Sequence, residues 1–371
     1  MTRKFGVQSY GVIAPMIRQG DNIAQIVSDT VLDAFDNIED GDIIGITESV
    51  VARAQGNYVT INEVAEDIKT HFKKYNRQHI TLVNPIYSRN RFAMILKAFA
   101  RAAGEKVWIV MPDVDEVGNV LRNHPFTGLD YDKYYKSIVL AEGKEVEVIS
   151  DVNDAPNFEY NCFIDCSLHP SANCKPYVMS DREGVYINDV FRKFDANLSY
   201  FCRDICDYGL LGSNKASEES LKLFPSIEFA DTVVKTIRDD VKAKTGKNVE
   251  VMVYGDGCFK DPVGGIWEFA DPVVSPAYTG GLYGTPNEMK LKYLIDNDCS
   301  EILSQDELER AVRSKIKNKD NNLKGNMASQ GTTPRQLTDL LGSLMDLTSG
   351  SGDRGTPIVV VKGYFKNLSS E

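Results

Sequence analysis

The chain has 371 residues, 42% hydrophobic and 26% charged, so it can bury a large core in about two domains or in one domain with an insertion. Its net charge of -11 disfavours non-specific binding to nucleic acid or anionic membranes, because both depend on clustered lysines and arginines. No window approaches about 18 apolar residues and the first residues lack a signal-peptide pattern, so we expect a cytoplasmic protein without a membrane partner.

The first organised block, residues 20–56, is predicted to contain a helix and a buried strand. Apolar residues at helical spacing in residues 23–34 predict an amphipathic helix capped by Asp21 or Asn22. The apolar run at residues 43–47 predicts the strand. The polar residues Glu48, Ser49 and Arg53 follow it and either face a ligand at the strand end, or Glu48 and Arg53 form only a solvated pair.

A helix with a Thr60–Glu63 capping box precedes a predicted β-α-β unit. The unit consists of strands near 79–85 and 106–112 and a helix over 88–104, and it resembles a Rossmann building block without a glycine-rich phosphate loop. Polar residues beyond its second strand are either a cation or substrate site or only a solvated turn: Asp113, Asp115, Glu116 and Asn119.

The seven cysteines do not predict a disulfide framework, because their number is odd and no signal peptide is recognisable. Five of them lie within residues 162–206. The pairs Cys162/Cys166 and Cys202/Cys206 flank His169, which leaves two alternatives, a zinc site or ordinary buried and free thiols.

The second half of the chain is predicted to bring an acidic residue to a strand tip. A helix over residues 227–245, capped by Ser226 and ended by Gly246, leads into the alternating run VEVMVYGDG. Asp256 stands between two glycines at the end of that strand, so it either faces a ligand or sits in a solvated turn. Residues 264–292, rich in glycine, proline and tyrosine, are expected to be an irregular loop.

Three separated stretches, APMIRQGDN with GDIIGITESVVARAQG, DYGLLGSN with VMVYGDGCF, and SGSGDRGTPIVVVKG, resemble in their order the coenzyme F420-0:L-glutamate ligase family. The resemblance implies a mixed α/β fold in which a ligase-like core is interrupted by an inserted Rossmann-like module. It also implies a homodimer. The resulting domain division is 1–75 for the first part of the core, 76–185 for the insertion and 186–371 for the rest of the core.

The resemblance further implies an amide ligase that depends on GTP or ATP and on Mg²⁺ or Mn²⁺. In the family, the nucleotide activates a carboxylate acceptor as an acyl phosphate, which the amine of L-glutamate attacks. Carried over by position, the nucleotide contacts fall on eight residues: Ala14, Pro15, Met16, Ile17, Glu48, Ser49, Arg53 and Asn214.

The metal ligands of the family fall on Leu211, Asp256, Gly257 and Ser351, where leucine and glycine side chains cannot bind a hard cation. Asp256 therefore remains, and we predict that Asp207 joins it; other acids near enough in sequence to contribute are Asp204, Asp261 and Asp353. Two other functions stay open: a homologue that binds a nucleotide or phosphorylated cofactor without ligation, and an interaction protein that uses the inserted module.

Overall fold

The computed structural model describes most of the chain, in these residues: 4–71, 78–83, 89–111, 113, 122–123, 128–151, 154, 161–165, 185–186, 214–256, 259–260, 267–268, 273–301, 304–329, 335–349 and 353–370. Helices and strands alternate within these ranges, which confirms the predicted mixed α/β class.

The strands are β1 (Gln8–Val12), β2 (Ile43–Thr47), β3 (Tyr58–Thr60), β4 (His79–Val83), β5 (Lys106–Val110), β6 (Glu145–Ile149), β7 (Asn161–Asp165), β8 (Val185–Tyr186), β9 (Asn214–Ser217), β10 (Ser220–Lys222), β11 (Glu250–Asp256), β12 (Phe259–Lys260), β13 (Trp267–Glu268), β14 (Val273–Tyr278) and β15 (Ile358–Lys362). The α-helices are α1 (Ile23–Ala34), α2 (Glu48–Gln55), α3 (Ile61–His71), α4 (Arg89–Ala102), α5 (Tyr131–Ala141), α6 (Ile227–Thr245), α7 (Leu291–Tyr293), α8 (Gln305–Lys317) and α9 (Leu337–Ser349).

A five-stranded mixed sheet joins the two ends of the chain in the order β1-β15-β2-β11-β14. β2 and β11 are parallel, and the other neighbours in this sheet are antiparallel. Helices α1 and α6 cover one face, and α9 covers the other. The strands β2, β11 and β15 are therefore buried on both faces, which explains why they read as nearly continuous apolar runs.

One predicted loop is partly wrong, because residues 264–292 include the edge strand β14 of the mixed sheet. Its Pro276 lies beside a register shift in the pairing with β11, between Val253 and Gly255. Proline is tolerated in such a place, since an edge strand with a bulge does not need every N–H for its ladder. The high glycine, proline and tyrosine content of this stretch therefore led to a loop prediction where the structure has a strand.

The second large sheet is parallel throughout and has the order β6-β5-β4-β7-β8. The predicted β-α-β unit is confirmed as β4-α4-β5, with α4 and α5 packed on the sheet through residues such as Phe99 and Val139. We refer to this sheet together with α3, α4 and α5 as the parallel-sheet unit. The predicted domain boundaries, at 75/76 and 185/186, stay predictions.

A small antiparallel sheet, β3-β10-β9, lies between these two larger parts. Its buried residues Val59 and Leu221 belong to the hydrophobic core of the parallel-sheet unit, as does Leu223 just after β10. A three-stranded sheet needs a packed hydrophobic face to be stable, and this core supplies the packing for the small sheet. No helix in the described part of the chain combines the length and the apolar character that crossing a bilayer requires.

The helix caps predicted from the sequence are present. The side chain of Asn22 accepts from the backbone N–H of Gln25 at the start of α1, and Ser226 Oγ accepts from the N–H of Phe229 in α6. Gly246 ends α6 with a left-handed φ of 72°, where a side chain would be strained.

The capping box at the start of α3 is also present. The backbone N–H of Thr60 donates to Glu63 at 2.7 Å, and the N–H of Glu63 donates to Thr60 Oγ1 at 3.2 Å. The backbone N–H and the hydroxyl of Thr60 lower the pKa of the Glu63 carboxyl, which keeps it charged near the positive end of the helix dipole.

We expect Thr60→Ala to lower the free energy of unfolding by about 0.5–2 kcal/mol, because it removes this cap. Thr70→Ala in the same helix is the control, since the Thr70 hydroxyl bonds only the carbonyl of Glu66 on the exposed face. Urea unfolding should show that Thr70→Ala changes the free energy of unfolding by no more than about 0.5 kcal/mol. Equal losses for the two variants would contradict the capping role.

Candidate functional site

A cavity of about 650 Å³ opens where the mixed sheet meets the small sheet. The parallel strands β2 and β11 both end at it, with Thr47 and Gly255 in its wall. Ligands commonly bind beyond the carboxyl ends of parallel strands, because the side chains that follow several strands converge there. The other walls come from the segment after β1, from β9 and β10, and from the residues between α9 and β15.

The eight predicted nucleotide contacts all line this cavity, although they come from three distant stretches of the chain: Ala14, Pro15, Met16, Ile17, Glu48, Ser49, Arg53 and Asn214. The segment 14–17 is attached to the segment before β15 by a hydrogen bond from the N–H of Ala14 to the carbonyl of Gly355, at 3.0 Å. That these residues bind a nucleotide stays a prediction. Their convergence makes them candidates for a single site.

The two predicted metal ligands are placed less completely. Asp256 is the last residue of β11 and directly follows Gly255, which lines the cavity. Asp207 lies outside the described residues, as do Asp204, Leu211, Gly257, Asp261 and Ser351. Of the alternative acids considered from the sequence, Asp353 lines the cavity.

Glu48 is the most enclosed charged residue in the cavity wall. Its Oε2 accepts from Lys222 Nζ at 2.5 Å, and its Oε1 accepts from Asn214 Nδ2 at 3.1 Å. Only 4% of the Glu48 side chain and 7% of the Lys222 side chain are exposed. The alternative that Glu48 belongs to a solvated surface pair is therefore wrong, because its carboxylate is buried and bonded.

Gly255 makes this position of Glu48 possible. A Cβ at residue 255 would lie 2.1 Å from Cγ and 3.0 Å from Cβ of Glu48, far inside van der Waals contact. The side chain of Glu48 thus crosses directly over the backbone of β11. Glycine thus allows a close approach at this strand tip, and the approaching group is a side chain of the protein.

Asp346, Ser349 and Tyr254 also line the cavity. Burial raises the pKa of the Tyr254 phenol; the Ser349 hydroxyl lowers it, and the charge of Asp346 raises it. Tyr254 therefore stays protonated over the whole physiological range. The hydroxyl of Thr356 donates to the carbonyl of Ser349 at 2.8 Å and ties the end of α9 to the segment before β15.

Among the wall residues that sequence reasoning missed are Lys222, Tyr254 and Asp346. Lys222 ends β10 and lies between the buried Leu221 and Leu223, and alternation places it on the opposite face from them. That pattern is typical of a solvent-facing lysine. Lys222 is buried because it pairs with Glu48, which is 174 positions away in the sequence.

Two other predicted sites are not assembled by the described residues. Among them, no three His, Cys, Asp or Glu side chains come together as a metal site. The zinc candidates Cys166, Cys202, Cys206 and His169 lie outside the described residues, and the buried Cys299 belongs to a separate core. In the acidic turn after β5, Asp113 forms an ion pair with Arg122 at 2.6 Å; its other members, Asp115, Glu116 and Asn119, are outside the described residues.

Comparison with known proteins identifies related enzymes. The family model described as F420-0:Gamma-glutamyl ligase matches residues 11–363, which is nearly the whole chain. The chain is also similar to the coenzyme F420:L-glutamate ligase of Methanothermobacter thermautotrophicus, with 33% identity over 60 residues. That alignment covers 16% of this chain and 24% of the relative, so it spans about a quarter of the relative's length.

We expect Gly255→Ala to destabilise the protein by about 1–3 kcal/mol, because the new methyl group displaces Glu48 from its buried bonds. Gly280→Ala is the matched control, since a Cβ at that residue meets nothing within 4 Å. Chemical unfolding of the two variants tests the expectation. A Gly255→Ala protein as stable as the Gly280→Ala protein would show that the Glu48 side chain can move at no cost.

Proposed function

Because this chain belongs to the F420-0:gamma-glutamyl ligase family, we propose that it is an amide ligase that joins the amine of L-glutamate to a carboxylate acceptor, driven by a nucleoside triphosphate. The observation that carries the proposal is the convergence on one cavity of the eight residues expected to contact the nucleotide. These residues come from the start and the middle of the chain, and the fold unites them.

The electrostatics of the cavity support binding of a polyphosphate. The eight-residue helix α2 begins at Glu48, so its positive end is directed at the cavity wall formed by Ser49 and Val50. Arg53 and Lys215 also line the cavity, and Lys215 is paired with Glu218 at 2.5 Å on the surface. An arginine can hold phosphate oxygens through two parallel hydrogen bonds.

Glu48 has a different part in nucleotide binding. A carboxylate repels phosphates but accepts hydrogen bonds from N–H and O–H groups, such as those of a purine base or a ribose. The Glu48 carboxylate is held by Lys222 and Asn214 before any ligand enters. We infer that Glu48 faces the nucleoside part and that Arg53 faces the phosphates.

The cavity has carboxylates that fit Mg²⁺ or Mn²⁺. Asp346 and Asp353 line the cavity, and Mg²⁺ is commonly held by one or two carboxylates together with substrate phosphates. These two acids are our candidates for the ligands that the family places at Leu211, Gly257 and Ser351, and Asp256, at the end of β11, is a further candidate. The bound cation would neutralise charge on the phosphates during transfer.

The proposed reaction has two steps. An oxygen of the acceptor carboxylate attacks the γ-phosphorus, and the bond to the β,γ-bridging oxygen breaks, which gives an acyl phosphate and a nucleoside diphosphate. The glutamate amine then attacks the acyl carbon, phosphate leaves, and the amine loses a proton. The contribution of the chain is to orient the triphosphate in line with the acceptor and to keep water from the acyl phosphate.

The wider expectations rest on the same family membership. We propose that the protein is a homodimer in the cytoplasm and that its acceptor is a small carboxylate. Two alternatives remain, a homologue that binds the nucleotide without ligation and an interaction protein that uses the inserted module, and the experiment below distinguishes them.

We expect labelled L-glutamate to be incorporated into an acceptor only with GTP or ATP and a divalent cation. Arg53→Gln should weaken binding of the nucleotide by about 10-fold in calorimetry, because it removes a charge-assisted phosphate contact. Arg238→Gln is the control, since Arg238 lies on α6 and pairs with Asp239 at the surface. Nucleotide binding without glutamate incorporation would favour the non-ligating alternative, and no binding at all would overturn both nucleotide-binding functions and favour the interaction protein.

We also expect Asp346→Asn and Asp353→Asn each to weaken binding of Mn²⁺ in the presence of the nucleotide by about 10-fold or more, because an amide carries no charge for the cation. Paramagnetic resonance of free Mn²⁺ measures this binding without requiring turnover. Asp231→Asn on α6 is the control. Unchanged Mn²⁺ binding in both variants would assign the cation to other acids, such as Asp256.

A further inference from the structure

The wall of the cavity that contains Asn214 and Lys222 is part of the small sheet, which packs on the core of the parallel-sheet unit. Both residues are on the small sheet, where they are paired across β9 and β10. The buried side chains of that sheet, Val59 and Leu221, pack into the core formed by α3, α4 and the parallel sheet. Glu48, by contrast, is on α2, whose buried residues Val51 and Ala54 pack into the core of the mixed sheet.

Helix α4 holds the turn end of the β9–β10 hairpin through charged groups. Lys97 Nζ donates to Glu219 at 2.5 Å and to the carbonyl of Glu218 at 2.8 Å. Arg101 donates to Glu219 at 3.0 Å and forms two parallel bonds of 2.9 Å with Glu142. The hairpin is thus fixed at its turn by the parallel-sheet unit, while its open end reaches the cavity.

The contact between Lys222 and Glu48 connects the two cores at the cavity. Burying both charges is unfavourable, and their attraction offsets that cost only with close geometry and further hydrogen bonds, which the 2.5 Å separation and Asn214 provide. Such a pair adds little net stability compared with apolar side chains. It does impose one relative position on the groups that carry it.

We infer that Lys222 is a positioning residue of the cavity: its buried ion pair with Glu48 joins the small sheet to α2 and sets the direction of the Glu48 carboxylate. The expected effect on nucleotide binding rests on the proposed function, whereas the contact between the small sheet and α2 does not. The inference assigns a role to the parallel-sheet unit, whose core supports the small sheet at one wall of the site. Lys222 acts through Glu48 and is not a catalytic residue.

The test compares two lysine–carboxylate pairs in which the carboxylate is buried. Lys222→Met breaks the pair at the cavity, and Lys362→Met breaks the pair of Lys362 with Asp42, which precedes β2 at the end of the mixed sheet away from the cavity. Asp42 is as enclosed as Glu48, with 2% of its side chain exposed. Both variants should therefore lose stability for the same reason.

The two variants should differ in two further measurements. Lys222→Met should weaken binding of GTP and ATP by about 10-fold, and Lys362→Met should change it by less than about twofold. Amide hydrogen exchange should become at least about fivefold faster in residues 214–222 of Lys222→Met and stay unchanged there in Lys362→Met. Lys222→Arg, which keeps the charge, should restore part of the protection.

Each result decides the inference. Wild-type exchange in residues 214–222 of Lys222→Met overturns it, whether or not a nucleotide binds. If the wild-type protein binds neither GTP nor ATP, the proposed function fails, and hydrogen exchange still tests whether the pair of Lys222 and Glu48 holds the small sheet against α2.

If Lys222→Met does not fold, the double variant Lys222→Met/Glu48→Gln removes both charges and restores the fold. Its residues 214–222 should then exchange faster than in the wild type, and unchanged exchange there overturns the inference.

Discussion

The buried ion pair between Glu48 and Lys222 is the interaction on which the arrangement of the cavity depends. A carboxylate and an ammonium group can share an apolar interior only when each satisfies the other, so the two elements that carry them cannot separate without exposing a bare charge. Two consequences follow in the structure. Residue 255 has to be a glycine beneath Glu48, and Asn214 has to lie beside it as the second donor.

The mixed sheet explains why the site is distributed along the whole sequence. Its central strands are parallel neighbours from residues 43–47 and 250–256, and its next strand comes from residues 358–362. Because strands buried on both faces need apolar side chains throughout, polar groups are displaced to the strand ends. The carboxyl ends of β2 and β11 therefore collect Glu48, Ser49 and Gly255 at one edge.

The proposed ligase reaction fits a cavity that is lined by side chains of both charges. Arg53 suits phosphate, and Asp346 and Asp353 suit a cation. The proposal therefore assigns the phosphates and the cation to different side chains of one cavity.

The sequence by itself determined the local structure: the caps at Asn22 and Ser226, the β-α-β unit and the strand that ends at Asp256, because each depends on residues within a few positions of one another. The eight residues that the family resemblance selected lie together in one cavity, and their binding of a nucleotide stays a prediction. The tertiary structure alone decided that the edge strand with Pro276 completes the sheet, and that Lys222 is a buried partner of Glu48. Pairing over 174 positions depends on how two cores pack, and no local pattern encodes it.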